Sequence, residues 1–416
     1  MKTGKWFSAL GCAIMVLAVG FFVMACPTDT ETEKPGNGPP ENGTSPPPPP
    51  SPPPSPPSWL PPTGSAGTEA VEGYAEGAFP APMGWENNPG QWRLVWNDEF
   101  AGDTLNPYRW NIDTGTGSQF GLTGWGNNEL QYYRKDNVQV RDGYLILEAR
   151  DDGRGVMNFT SGKVTTGGTR ASGTYLGEVF PERFSIPQGF IEARIRSPRG
   201  AGFWPAFWTL GTNSNPYGQG GVDAHVGWPS SGEIDIMEIR GHEAGPHMSG
   251  SPPQPTGARF MSTIHHGTRY PDRRWFPGAS MWFDDRSQPI AVGQHHIDAG
   301  RVLRRTPVVL PEGVDLANEF HVYGVRWDEN RMDFYFNGVN WVSINLNNLQ
   351  GGEFANAESF TALTGQFINI NLAVGGNFLP PAEREPSPDA FAPGAPWEER
   401  SLTIDWVRVH ERVLDN

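Results

Sequence analysis

Along most of the chain, short runs of alternating apolar and polar residues are separated by glycine- and proline-rich breaks. Ile191, Ala193 and Ile195 alternate with Glu192, Arg194 and Arg196, and Ile368, Ile370 and Leu372 alternate with Asn369 and Asn371. A period of two sends successive side chains to opposite faces of an extended backbone, so each run predicts a β-strand with one buried face. Met332, Phe334 and Phe336 form a third such run, and Asn337-Gly338 then precedes Val339 to Ile344. That dipeptide suits a hairpin turn whose two central residues need positive φ. Leu145 to Ala149 and Leu402 to Val409 read as further strands. Helical periodicity is nearly absent and no fixed repeat recurs, so the expected class is all-β, a sandwich or barrel rather than a propeller.

One strand differs from the rest. Gly232-Glu233-Ile234-Asp235-Ile236-Met237-Glu238-Ile239-Arg240-Gly241 threads three carboxylates through apolar residues. Strict alternation puts Glu233 and Asp235 on the wet face but turns Glu238 inward with the isoleucines, where a charged carboxylate is costly. A β-bulge with Met237 as the extra residue returns Glu238 to the side of Glu233 and Asp235. At about 3.3 Å per residue, two inward-leaning glutamates on such a strand come within the range of paired catalytic carboxyls. For an arbitrary strand of this composition, an acidic solvent face is the simpler explanation. The neighbouring segments weigh against it here.

Trp204, Ala206 and Trp208 share one face of the Phe203 to Trp208 run, and Trp228 stands shortly before Glu233 beside a proline. Large aromatics in β domains are most often core. Exposed indoles, however, also stack on the C–H faces of sugar rings, and Trp228 is the best placed for such a platform. The Gly124 to Tyr133 segment adds Trp125, Asn127 and other amides that can donate and accept hydrogen bonds to hydroxyls; alternatively it is a turn entering a strand. His265 and His266 lie beyond the acidic strand. A zinc enzyme is not indicated, because His242-Glu243 lacks the second histidine of an H-E-x-x-H motif, Pro246 standing in its place.

Residues 1–26 carry Lys2 and Lys5, an apolar run and Val23-Met24-Ala25-Cys26, the pattern of a lipoprotein-type signal peptide lipidated at Cys26. The expected product is an exported bacterial cell-envelope lipoprotein, periplasmic or surface-exposed, held to the membrane only through lipid. The alternative is a single spanning anchor, since the run is near bilayer length. The two cysteines, Cys12 and Cys26, both lie in this leader, so the folded part has no disulfide. Residues 27–84 form a Pro/Ser/Gly-rich linker too poor in apolar residues to fold, and residues 85–416 form one domain. A formal net charge of −15 without a basic stripe argues against nucleic acid as a partner.

Five blocks in order, Trp96 to Phe100, Gly124 to Tyr133, Trp204 to Trp208, Gly232 to Gly241 and Asn371 to Asn377, resemble the family 16 glycoside hydrolases, most closely the laminarinase-like endo-β-1,3-glucanases. The resemblance implies a jelly-roll β-sandwich of two curved antiparallel sheets with a cleft on the concave face. It implies Glu233 as nucleophile, Asp235 as its hydrogen-bonded helper and Glu238 as general acid and then base. Extra residue Met237 resembles the laminarinase, agarase and carrageenase branch. The same resemblance places Glu192 and Arg194 in the cleft on a neighbouring strand, and His265 at its border. It implies no cofactor for catalysis, a structural calcium at Glu99, Gly143 and Asp405, and a monomer acting on β-glucan polysaccharide. His266 and the long Tyr270 to Asn318 insert depart from the family pattern, so linkage preference is less constrained than mechanism. Two alternatives remain open: a galactan hydrolase of the same family, on agar- or carrageenan-type substrates, and an inactive surface carbohydrate-binding protein.

Overall fold

The computed structural model describes residues 80–86, 91–118, 122–153, 158–168, 181–212, 231–249, 254–266, 279–283, 289–293, 308–310, 313–346, 360 and 365–413. The leader with Cys26, most of the linker, Trp228 and most of the Tyr270 to Asn318 insert lie outside them.

The alternating runs form two antiparallel sheets. In the nine-stranded sheet the order is Pro289–Gly293, Ala279–Phe283, Arg259–His266, Glu233–Glu238, Phe203–Gly211, Gln366–Val374, Lys163–Thr165 and Asn111–Ile112, with Val308–Val309 beside Arg259–His266. The eight-stranded sheet runs Val339–Asn345, Arg331–Phe336, His321–Trp327, Gly189–Arg196, Ser401–Arg412, Tyr144–Glu148 and Val138–Arg141, with Trp92–Asp98 also paired to Ser401–Arg412. Neighbours in space are often distant in sequence, as a jelly roll requires. Asn337 and Gly338 both have positive φ, 48° and 75°, and close the expected hairpin.

One core lies between the sheets. Ile191, Ala193, Ile195, Tyr323, Val325, Ile404 and Val407 face it from one side; Phe203, Phe207, Ile234, Ile264, Ile368, Ile370 and Leu372 face it from the other. Each fully buried aliphatic or aromatic side chain contributes roughly 1.5–3 kcal/mol relative to exposure, so register is strongly fixed. A one-residue slip would exchange this set for the polar one. The opposite face of the nine-stranded sheet is thereby left to polar and half-buried residues, and it carries the site.

The folded body includes residues upstream of the boundary expected at residue 85. The Met83 backbone N–H donates to Glu192 Oε2 at 3.1 Å, and the Pro80 carbonyl lies 3.0 Å from His410 Nε2. Gly84 sits so close to Gly338 that a Cβ would fall 2.2 Å from the Gly338 carbonyl oxygen. Residues 80–84 are therefore docked on the eight-stranded sheet.

Candidate active site

The acidic strand, Glu233–Glu238, lies between Phe203–Gly211 and Arg259–His266, and both ladders slip there. Against Arg259–His266, Asp235 faces Thr263 while Glu238 faces Met261, three steps on one strand against two on the other. Against Phe203–Gly211, Asp235 faces Trp208 and Met237 faces Phe207, which leaves Ile236 out of the ladder. The expected bulge is present, with Ile236 rather than Met237 as the unpaired residue on that side. Ile236 and Met237 both remain in the core, at 1% and 0% exposure. The two apolar side chains fill the core together, so Glu238 emerges on the face of Glu233 and Asp235.

Register carries this face across the sheet in rows. Glu238, Ala206, Asn371 and Lys163 form one row, and Asp235, Trp208, Asn369 and Thr165 form the next. Glu233 stands opposite His265, whose Nε2 lies 3.1 Å from Asp235 Oδ2. The side chains of Glu233, Asp235 and His265 converge, with their ligand-type atoms within 4.8 Å of one another. Asp235 also shares a hydrogen bond with Glu233.

Burial pushes the Asp235 carboxyl well above the ordinary aspartate range, and the nearby Glu238 charge adds to the effect. The hydrogen bond with half-buried Glu233 works against this shift. Burial also raises Glu238 to about 7, against the opposing effects of His265 and the Trp204 indole and with some help from Glu233. Trp204 Nε1 donates to Glu238 Oε1 at 3.0 Å, which fixes the direction of that carboxyl. A half-buried carboxyl, Glu233, and a buried one raised to about 7, Glu238, on one face can supply a nucleophile and an acid.

Trp204 and Trp208 lie on this face, as their alternation with Phe203 and Phe207 predicts. Phe378 stacks on Trp204 with centroids 4.8 Å apart, and Trp208 Nε1 donates to Asn371 Oδ1 at 2.7 Å. Trp125 is half-buried, and Lys163 Nζ lies 4.2 Å from its ring centroid and 5.4 Å from that of Trp208. Asn127 is exposed at the edge of the same region and donates to Glu129 at 3.3 Å. Sequence reasoning missed Glu129, Asn371 and Lys163 as members of this face. Asn371 was legible as the polar partner of Ile370 and Leu372; Lys163 lies on a three-residue strand too short to show a period.

Glu192 and Arg194 are corrected. Their strand, Gly189–Arg196, belongs to the eight-stranded sheet between His321–Trp327 and Ser401–Arg412, and it does not neighbour the acidic strand. Ile191, Ala193 and Ile195 take the core side, so Glu192 and Arg194 point away from the site across the whole sandwich. Arg194 pairs there with Asp405, and Glu192 anchors Met83.

Register does bring Glu99, Gly143 and Asp405 toward one another: Asp98 faces Val407, and Leu145 faces Ile404 on the same long strand. Two carboxylates and a backbone carbonyl are hard oxygen donors of the kind calcium takes. Both carboxylates, however, are held by guanidinium groups. Arg408 makes two bonds to Glu99, at 2.9 and 3.0 Å, and Arg194 holds Asp405. As arranged, the cluster fits paired charges and not a calcium cage.

No protein-family model matches the chain. The glucan endo-1,3-beta-glucosidase of Cryptopygus antarcticus is 30% identical over 329 residues, covering 77% of this chain and 92% of that protein. Glucan endo-1,3-beta-glucosidase A1 of Niallia circulans is 29% identical over 76% of this chain, which spans only 38% of that longer relative. The solved endo-beta-1,3-glucanase of Pyrococcus furiosus superposes with a TM-score of 0.52 at 29% identity, covering 79% of this chain and 97% of its own. Fold and site together define a jelly-roll protein of the glycoside hydrolase class. More particularly, the chain belongs to glycoside hydrolase family 16, in its laminarinase-like branch.

Proposed function

We propose that the protein is a retaining endo-glycoside hydrolase acting on β-1,3-glucan of the laminarin type, with mixed-linkage β-glucan as a secondary substrate. The observation that carries this is the pairing on one strand face of a proton-bearing Glu238, aimed by Trp204, with Glu233 supported by Asp235. Glu233 attacks the anomeric carbon while the bond to the leaving oxygen breaks and Glu238 gives that oxygen its proton. Glu238 then takes a proton from water, the water oxygen bonds to the same carbon, and Glu233 departs. Asp235 holds Glu233 in line, and His265 orients Asp235. Half-buried Trp204 and Trp208 offer apolar surface to glucosyl rings.

No step runs through calcium; an ion at Glu99, Gly143 and Asp405 would have to displace Arg194 and Arg408. The leader sequence supports export with lipid attachment at Cys26, and a Cys26→Ser chain recovered in the soluble fraction would be the expected outcome. The enzyme is proposed to act as a monomer.

The test is product sizing on laminarin, lichenan, agarose and carrageenan. Early release of mixed oligosaccharides from laminarin supports the proposal. Cleavage of a galactan alone would favour the related galactan hydrolase, and binding without release of reducing ends would favour a carbohydrate-binding protein.

A further inference from the structure

One buried carboxyl near the site takes no part in the chemistry above. Glu129, 7% exposed, accepts hydrogen bonds from Gln131 Nε2 at 2.6 Å, from Tyr133 Oη at 3.3 Å and from Asn127 Nδ2 at 3.3 Å. Burial pushes its pKa up against these donors. Two routes lead from it to the cleft tryptophans. Along the first, Asn371 Nδ2 donates to Tyr133 Oη at 3.1 Å while its Oδ1 accepts from the Trp208 indole. The second passes through the turn after Gln366–Val374. Leu130 N–H donates to the Val374 carbonyl at 2.8 Å, Asn377 N–H donates to the Asn127 carbonyl at 2.8 Å, and Gln131 Oε1 accepts from Val374 N–H at 2.8 Å.

That turn bears directly on Trp204. A Cβ on Gly376 would lie 2.9 Å from the Trp204 ring and 3.4 Å from Glu129 Cγ, so the glycine is pressed between the two side chains. Phe378, two residues on, stacks on Trp204, and Trp204 in turn donates to Glu238.

We propose that Glu129 is a positioning residue for the reaction: it clamps the 375–378 turn and the Asn371 amide, and thereby fixes Trp204 against the acid Glu238 and Trp208 in the cleft. This rests on the assignment of Glu238 as the acid. Without a carboxyl at position 129, the buried donors Gln131 and Tyr133 and the exposed Asn127 amide lose their acceptor, and the network that holds the 375–378 turn against Trp204 loses its centre. Leaving buried donors unmet disfavours the present arrangement, so the indoles move. The Trp204 bond to Glu238 favours the charged carboxylate. Its loss therefore raises the pKa of Glu238 as well as slowing turnover, a combination that simple loosening of the fold does not produce.

Glu129→Leu and Glu129→Gln are compared in the full chain, with melting temperature recorded for both. Two readouts are taken: the pH dependence of kcat/KM on laminarin, and the indole ¹H–¹⁵N resonance of Trp204, identified by its absence in Trp204→Phe. Glu129→Leu is expected to lower kcat by roughly tenfold or more, the factor for about 1.4 kcal/mol, with a smaller change in KM. Its basic limb is expected to move to higher pH and the Trp204 resonance to shift. Glu129→Gln, which keeps an acceptor, should recover most of both. A folded Glu129→Leu with an unmoved Trp204 resonance and an unmoved basic limb overturns the proposal. If the wild type cleaves no glucan, the substrate assignment fails, while the resonance still decides whether Glu129 positions Trp204.

Discussion

The indole N–H of Trp204 donates to Glu238 Oε1 across 3.0 Å, although the two residues lie on adjacent strands and 34 positions apart. The slipped ladder makes this contact possible: Glu238 faces Ala206, and Trp204 reaches it from one residue pair further along the same face. The bond opposes the effect of burial, which otherwise keeps the acid protonated.

The acid must hold its proton, so kcat/KM should fall as pH rises through about 7, where Glu238 loses it. Trp204→Phe removes a donor that stabilises the carboxylate. Its basic limb should therefore lie at higher pH than that of wild type, with a lower plateau. A pH–rate profile of both proteins checks the direction.

Stability should follow the same group with the opposite benefit. Folding raises Glu238 from the usual value of 4.5 to about 7, so the folded state binds the proton more tightly than the unfolded chain. Its contribution is fully present below about pH 4.5 and is lost as pH rises toward 7. Glu238→Gln should accordingly be inactive yet more stable than wild type at pH 7, by about 1–3 kcal/mol. Urea unfolding of both proteins at pH 5 and pH 7 should show the gap widening at the higher pH.

Removing either glutamate should leave a hole that a small anion can fill. Glu233→Ala should lose activity by roughly 10⁴-fold or more, and azide should restore turnover of an activated aryl β-glucoside with an α-glycosyl azide as product. Glu238→Ala should instead give the β-azide, because azide then intercepts the glycosyl-enzyme. Chromatographic and nuclear magnetic resonance assignment of the two azides distinguishes the roles.

Arg194 provides a negative control on the opposite sheet. Arg194→Ala breaks the Asp405 pair but touches nothing in the cleft. Its kcat/KM should stay within about twofold of wild type, in keeping with the small worth of partly exposed ion pairs, and any loss should appear in the melting temperature.

Much of the fold was legible because its strands are long and one-sided. The Ile368, Ile370 and Leu372 run and the Asn337-Gly338 turn state their faces in a period of two. The acidic strand was legible for a different reason: Glu238 breaks the alternation, and only a bulge reconciles it with a buried face. The detail of that bulge was not, since Ile236 and Met237 are equally apolar and either can be the unpaired residue. Glu192 and Arg194 were misplaced because alternation tells which side of a strand a residue takes but not which sheet the strand joins. Glu129 escaped notice as a hub, because its own donors Gln131 and Tyr133 connect onward to Val374 and Asn371, which are distant in sequence and lie beside them only through the placement of the Gln366–Val374 strand.

The central claim is that Glu233 and Glu238 carry out a double displacement, and the anomeric form of the first product tests it most directly. Wild-type protein is mixed with a soluble β-1,3-glucan oligosaccharide in deuterated buffer, and the anomeric protons are followed before mutarotation. The new reducing end should appear first as the β-anomer, with α rising only later. First appearance of the α-anomer would mean single displacement by water and would contradict Glu233 as the nucleophile.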